Sequence, residues 1–246
     1  MTEELFRQDA YLKECTAVVT AVGDQGVVLD RTVFYPLGGG QAGDAGSLLL
    51  ADGTALAIAD TRKGKDSEGR PTGEICHQPA PNQELVLARL KPGDLVTARV
   101  DWARRHKLMR FHTTTHLLCH LVPQLVNGCS ITSEYARLDF NMTEPLDKDA
   151  LTQGIARLVS AALPVQVGAI SDEELDANPA LVKSMSVQPP RGTGRIRTIR
   201  IGGPEQIDFQ PCGGTHVANT AEIGTVVVTK IEKKSAMTRR VVLGFA

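Results

Sequence analysis

The sequence predicts an α+β protein, with a small N-terminal β-barrel over residues 1–100 followed by an α+β domain over 101–246 whose helices pack on a largely antiparallel sheet. Three observations carry this. Up to Trp102, apolar residues come in short β-type runs separated by glycine, proline and polar clusters. After Trp102 the apolar spacing becomes helical. The remainder mixes strand-like and helix-like runs, and 246 residues with 42% hydrophobic content suffice for one large or two ordinary cores.

In the first half, residues 15–22, 26–34, 46–50, 54–60, 85–90 and 95–102 read as strands of the barrel. Lys91-Pro92-Gly93-Asp94 is a turn between two of them, and the polar, glycine-containing stretch 62–73 reads as an exposed loop. Leu108, Phe111, Thr115, Leu118, Leu121 and Val122 then recur at helical spacing, predicting a helix of roughly five turns that stops before Pro123. A strand at 135–140 follows. Next comes an amphipathic helix at 147–163, with Leu151, Ile155, Leu158, Val159 and Ala162 inward. Residues 165–170 and 196–201 read as strands, 173–178 as a short helix, and 223–231 and 238–245 as two closing strands. No internal repeat or low-complexity tract is present.

The long helix carries His112-Thr-Thr-Thr-His116, and about a hundred residues later comes Cys212-Gly-Gly-Thr-His216. Positions i and i+4 share a helix face, so His112 and His116 can hold one ion. Cys212 and His216, separated by glycines that let the chain turn, add a thiolate and a third imidazole. That donor set suits Zn²⁺ rather than calcium or magnesium. A zinc protease is disfavoured, because the position of its general-base glutamate is Thr113 here. His106 and His120 lie nearby and are not assigned as ligands.

Phe34-Tyr35-Pro36-Leu37-Gly38-Gly39-Gly40-Gln41 is the other unusual segment. Three consecutive glycines belong where a chain turns sharply or where something approaches the backbone closely. The segment reads as a barrel turn or as a pocket wall, and no Gly-Lys-Ser/Thr follows to make it a phosphate loop. Five scattered cysteines, Cys15, Cys76, Cys119, Cys129 and Cys212, fit a reducing compartment and predict a cytoplasmic protein. No segment is apolar for long enough to span a bilayer, and no export signal is seen. The net charge of −1 requires any nucleic acid to be held by local patches. Candidates are Arg104, Arg105, Lys107 and Arg110; Lys230, Lys233, Lys234, Arg239 and Arg240; and Arg191, Arg195, Arg197 and Arg200.

Together, His-Thr-x-x-His, Cys-Gly-Gly-Thr-His-Val with Glu222-Ile223-Gly224, and the Phe-Tyr-Pro glycine segment resemble the editing domain of alanyl-tRNA synthetase. They equally resemble its freestanding relatives, the AlaX-type alanyl-tRNA editing proteins of the medium-length class. The resemblance runs from about residue 19 to 243, with neither an aminoacylation domain nor the long class's C-terminal domain expected. It implies hydrolysis, in trans, of tRNA(Ala) carrying a wrong amino acid, principally serine with glycine second. It makes His112, His116, Cys212 and His216 the zinc ligands and catalytic centre. Gly38, Gly39, Gly40, Gln41 and Ser130 become substrate contacts, with Ser130 standing where relatives place another polar residue, commonly glutamine. Arg104, Arg105, Lys107 and Arg110 would meet tRNA phosphates. No membrane and no obligate protein partner is expected. The competing reading is a non-catalytic RNA-binding module that zinc stabilises.

Overall fold

The computed structural model, which describes residues 1–192 and 194–246, is α+β, with five α-helices and mostly antiparallel strands among the described residues. The chain divides into two compact units. One is Met1–Gly38 with Ala42–His106; the other is Gly39–Gln41 with Lys107–Ala246.

The first unit holds β1 (Glu3–Glu4), α1 (Leu5–Gln8), β2 (Glu14–Gly23), β3 (Gly26–Leu29), β4 (Arg31–Thr32), β5 (Gly46–Leu49), β6 (Ala55–Lys65), β7 (Pro71–Pro79), α2 (Glu84–Leu87) and β8 (Leu95–Val100). Six of its strands pair in the order β2-β3-β7-β6-β5-β8, and β8 returns to β2 to close the ring. Strand alternation sorts the side chains: Val96, Ala98 and Val100 of β8 are buried, whereas Leu95 and Arg99 face solvent. Val19, Val27, Leu29, Phe34, Leu48 and Leu56 join all three of these in the core.

Two expectations are corrected here. The run at 85–90 is not a strand, because residues 84–87 form the single helical turn of α2. A short apolar run without alternation fits either geometry. Stretch 62–73 is not a loop: β6 continues to Lys65, β7 begins at Pro71, and Lys63 pairs with Ile75. This ribbon is mostly exposed, so polar residues occupy both its faces and no apolar alternation marks it.

Helix α3 (Trp102–Leu121) starts within the first unit and belongs to the second from Lys107 onward. It is followed by β9 (Val126–Ile131), β10 (Ala136–Asn141), α4 (Lys148–Ser160), β11 (Val165–Ile170), α5 (Asp172–Ala177), β12 (Ile196–Ile201), β13 (Asp208–Pro211), β14 (Val226–Ser235) and β15 (Thr238–Phe245). A four-stranded sheet runs β14-β15-β10-β9, and a three-stranded one runs β11-β12-β13. Helix α4 is capped by Asp147, whose carboxylate accepts from the backbone N–H groups of Asp149 and Ala150. It buries Leu151 and Ile155. Ala162, expected on that inward face, is exposed, since the helix stops at Ser160 and Ala162 adopts φ 49°. Strands β9 and β13 were not anticipated.

Candidate metal centre

The four expected donors converge. His112 and His116 project from one face of α3, Cys212 follows directly on β13, and His216 closes the Cys-Gly-Gly-Thr-His turn; their ligand atoms all lie within 4.8 Å of one another. Cys212 Sγ is 3.4 Å from His112 Nε2 and 3.3 Å from His216 Nε2. A tetrahedral zinc shell places sulfur and nitrogen donors about 3.5 Å apart, given metal–ligand distances of about 2.3 and 2.0 Å. The donor set therefore fits such an ion.

The outer nitrogens of the rings make the stronger argument. His112 Nδ1 lies 2.7 Å from Gln41 Oε1, His116 Nδ1 2.7 Å from Asp208 Oδ2, and His216 Nδ1 3.3 Å from Thr113 Oγ1. The Thr113 hydroxyl donates to the Met109 carbonyl, so it accepts from the imidazole. Each Nδ1–H thus points outward to an acceptor, leaving each Nε2 lone pair facing inward. Metal-ligating histidines are oriented in this way.

These outer groups are themselves held. Asp208 also takes an ion pair from Lys183 and a 2.8 Å hydrogen bond from Gln210 Nε2. Gln41 Oε1 accepts from the Thr215 backbone N–H at 3.1 Å, and its Nε2 donates to Thr215 Oγ1 at 2.8 Å. Cys212 is clamped to β12, donating its backbone N–H to the Arg197 carbonyl and accepting from Arg197 Nη1 at 2.6 Å. Gly214 must lack a side chain, because a Cβ there would fall 2.0 Å from His112 Cε1.

Electrostatics favours ligation. Burial alone would raise the Cys212 thiol, but His112 and His216 outweigh it and hold the group well below its ordinary range as a thiolate. Burial pushes His216 down to about 3, which keeps its ring neutral. His116 is also desolvated, yet the hydrogen bond and charge of Asp208 raise it to about 9. Asp208, although buried, is pulled down to about 2 by His116. Without metal, then, Cys212 and Asp208 share protons with His116, and an ion entering here competes with those protons.

The remaining expected site residues separate. Gly39 and Gly40 adopt φ 57° and 85°, and the carbonyl of Gly40 accepts from the Ile131 N–H at 2.8 Å. A Cβ on Gly40 would strike Cys129 Sγ at 2.8 Å. Gly38 accepts from the Tyr35 hydroxyl at 2.8 Å. Gln41 is fully buried with its amide committed to His112 and Thr215, so it supports the ligands instead of facing a substrate. Ser130 pairs across the sheet with Arg137, and alternation turns it to the face opposite Cys129. It is not among the groups gathered around the four donors.

Arg105 is not a phosphate contact. It is fully buried, ion-paired with Asp44 and bonded to the carbonyls of Ala10 and Val33, so it serves the first unit's interior. Arg110 is half-buried, donating to the Ile223 carbonyl at 2.6 Å with its guanidinium 4.1 Å from the centre of the Phe245 ring. Arg104 is partly exposed and Lys107 exposed. Asp208, Gln210, Thr113, Thr215 and Lys183 were missed. The alternation Asp208-x-Gln210-x-Cys212 was the available signal, since it puts three polar groups on one face of a strand.

Comparison with known proteins supplies the family. Residues 196–242 match the family model described as "Threonyl and Alanyl tRNA synthetase second additional domain", and residues 5–104 match "tRNA synthetases class II (A)". The alanyl-tRNA editing protein AlaX-M of Saccharolobus solfataricus is 34% identical over 248 residues, covering 98% of both chains. The AlaX-M protein of Methanosarcina barkeri is 35% identical over 98% of this chain and 97% of its own. The chain belongs to the AlaX-M family of alanyl-tRNA editing proteins. The family also reaches into synthetases: the alanine–tRNA ligase of Metallosphaera sedula is 34% identical over 94% of this chain, which matches 25% of that enzyme. Among the described residues, no helix is long and apolar enough to cross a membrane.

Proposed function

We propose that this AlaX-M protein is a trans-editing hydrolase that cleaves the ester of mischarged tRNA(Ala), principally Ser-tRNA(Ala) with Gly-tRNA(Ala) second, with Zn²⁺ held by His112, His116, Cys212 and His216. The observation that carries this reading is the complete donor set, with every histidine turned inward by its own acceptor. The relatives' names supply the substrate class. Zinc, when bound, supplies a Lewis acid for polarising an ester carbonyl. The chain's residues do the rest. Gln41, Asp208 and Thr113 fix the rings, and the buried setting keeps bulk water from competing for the donors. An aminoacyl ester is already activated, so modest electrophilic help and a positioned water suffice. A pocket that hydrogen-bonds the serine hydroxyl leaves a polar group unpaired when alanine enters, which is the basis for sparing Ala-tRNA(Ala). Arg104 and Lys107 are retained as proposed tRNA contacts.

The test is release of amino acid from Ser-tRNA(Ala) and Ala-tRNA(Ala) side by side, with zinc quantified on the same preparation. Rapid loss of serine with alanine retained is the expected result. A folded, zinc-loaded protein that releases neither would overturn the hydrolase. One observation favours the second reading, a zinc-stabilised RNA-binding module: four protein donors fill a tetrahedron, as structural sites do. Turnover that survives with zinc stripped would refute a catalytic ion, and tRNA binding without turnover would favour the module.

A further inference from the structure

The sheet β14-β15-β10-β9 has one apolar and one polar face. Ala136, Leu138, Phe140, Val226, Val228, Val241 and Leu243 are buried on one side, where α4 meets β14 and Thr152 Oγ1 accepts from the Val228 N–H. The register aligns the other side in two cross-strand rows. Ser130, Arg137, Val242 and Lys230 form one; Gly128, Asp139, Arg240 and Glu232 form the next. Lys234 sits at the bulge where β14 shifts register, exposed to solvent.

The charge on this face is unbalanced. Asp139 is shared by Arg137 at 2.8 Å and Arg240 at 2.7 Å, and Lys230 meets Glu232 at 2.8 Å. Four cations, Arg137, Lys230, Lys234 and Arg240, face two carboxylates on a chain whose net charge is −1. The excess is therefore local. Tyr135 stands at the head of β10, is 41% exposed, shares the parity of Arg137 along the strand and lies within electrostatic reach of Arg240. A polar sheet face with an exposed ring and surplus cations is a surface on which unpaired bases stack while phosphates are neutralised.

The β9 edge of this sheet borders the metal centre. Strand β9 ends at Ile131, whose N–H donates to Gly40, and the next residue, Gln41, accepts from His112. We infer that the polar face of this sheet is where the acceptor end of the tRNA lies, with Tyr135 beneath an unpaired base and Arg137, Lys230, Lys234 and Arg240 along its phosphates. Ser130 belongs to this RNA-facing row and not to the amino-acid pocket. The inference rests on the editing reading for the identity of the RNA.

Binding of uncharged tRNA(Ala) tests it without requiring turnover. For the full-length protein, affinity is measured across a salt titration for the parent, Lys230→Glu/Lys234→Glu, Tyr135→Ala, Tyr135→Phe and the control Lys148→Glu/Arg157→Glu on α4. The lysine variant is expected to bind at least about tenfold more weakly and to flatten the salt slope by about one unit per lysine. Tyr135→Ala is expected to lose about tenfold, with Tyr135→Phe close to the parent. Equal binding by parent and face variants would overturn the inference. So would a control that loses as much as the lysine variant, or a parent that does not retain tRNA at all. A parent that binds through this face but releases no serine refutes the hydrolase and leaves the docking face standing.

Discussion

His116 shows how much of a metal site lies outside its ligands. Its ring is fixed by Asp208, and Asp208 in turn by Lys183 and Gln210, a chain of contacts that spans α3, the segment around residue 183 and β13. Asp208→Asn keeps the shape but removes the charge that draws the proton outward, so metal affinity should fall about 10- to 100-fold. Competition with a chromophoric chelator reads this directly; affinity within twofold of the parent would show that the carboxylate does not orient the ring. The four donors were legible in the sequence because two short fragments carry ligand spacing. The acceptors were not legible as such: Gln41 was expected to face the substrate, Thr113 sits unmarked inside the His112–His116 motif, and Asp208 lies on a short strand without a ligand spacing of its own. Arg105 misled for a related reason: four cations close together give no sign of which one turns inward to Asp44. A second residue-scale prediction concerns His77, fully buried between Thr32 Oγ1 at 2.8 Å and the Val27 carbonyl at 2.9 Å. Burial pushes it down from 6.5 to about 4. The unfolded chain therefore takes up the proton first, and the stability this neutral ring contributes is whole above about pH 6.5 and lost as pH falls toward 4. The unfolding free energy of the parent over His77→Gln should shrink across that window by on the order of 3 kcal/mol. A gap that stays constant in denaturant melts from pH 7 to 4.5 would refute it.

At the scale of elements, the turn after β13 is built to let α3 come close. A Cβ at residue 214 would lie 2.0 Å from His112 Cε1, 2.3 Å from its Nδ1 and 2.9 Å from Gln41 Oε1, so Gly214→Ala must displace the ligand, its acceptor or the turn. The expected outcome is loss of stoichiometric zinc with the circular dichroism of the sheets retained. Gly203→Ala, where an added Cβ meets nothing within 4 Å and the backbone is not left-handed, should bind zinc normally. Full zinc occupancy in Gly214→Ala would show that the turn is looser than its packing implies. Elements were legible where burial is one-sided. Strand β8 declares itself by period, and 196–201 and 238–245 were placed to the residue; helix α3 was read from the spacing of its apolar residues although residues 111–119 are buried on every side. Strand β9 hid because Asn127, Gly128 and Ser130 interrupt its apolar pattern, and β13 because it has only four residues and ends in proline. The β6–β7 ribbon hid because solvent reaches both its faces.

At the scale of the whole molecule, the ion would tie residues about a hundred positions apart, all of them within the second unit. Because an ordered site does not exist in the unfolded chain, metal binding energy becomes folding energy for whatever segments the ion alone holds. Those segments are limited. Phe111, Leu118, Phe140, Ile199, Val241 and Leu243 are buried without reference to the donors, so the second unit keeps an apolar core when the metal leaves. The Cys212–His216 turn has no such core, since what holds it is Gln41, Thr113 and Arg197. Hydrogen exchange with and without a strong chelator should therefore show protection falling in 208–217 and in 39–41, while α3, packed in the apolar core, keeps its own. Protection in β2, β3 and β5–β8 should be unchanged, because the barrel closes on its own hydrogen bonds. Exchange that rises throughout residues 107–246 would mean that the ion holds up the entire unit, as a structural zinc does, and would transfer weight to the RNA-binding module. Loss confined to the turn and its acceptors is what a folded scaffold carrying a removable catalytic ion requires.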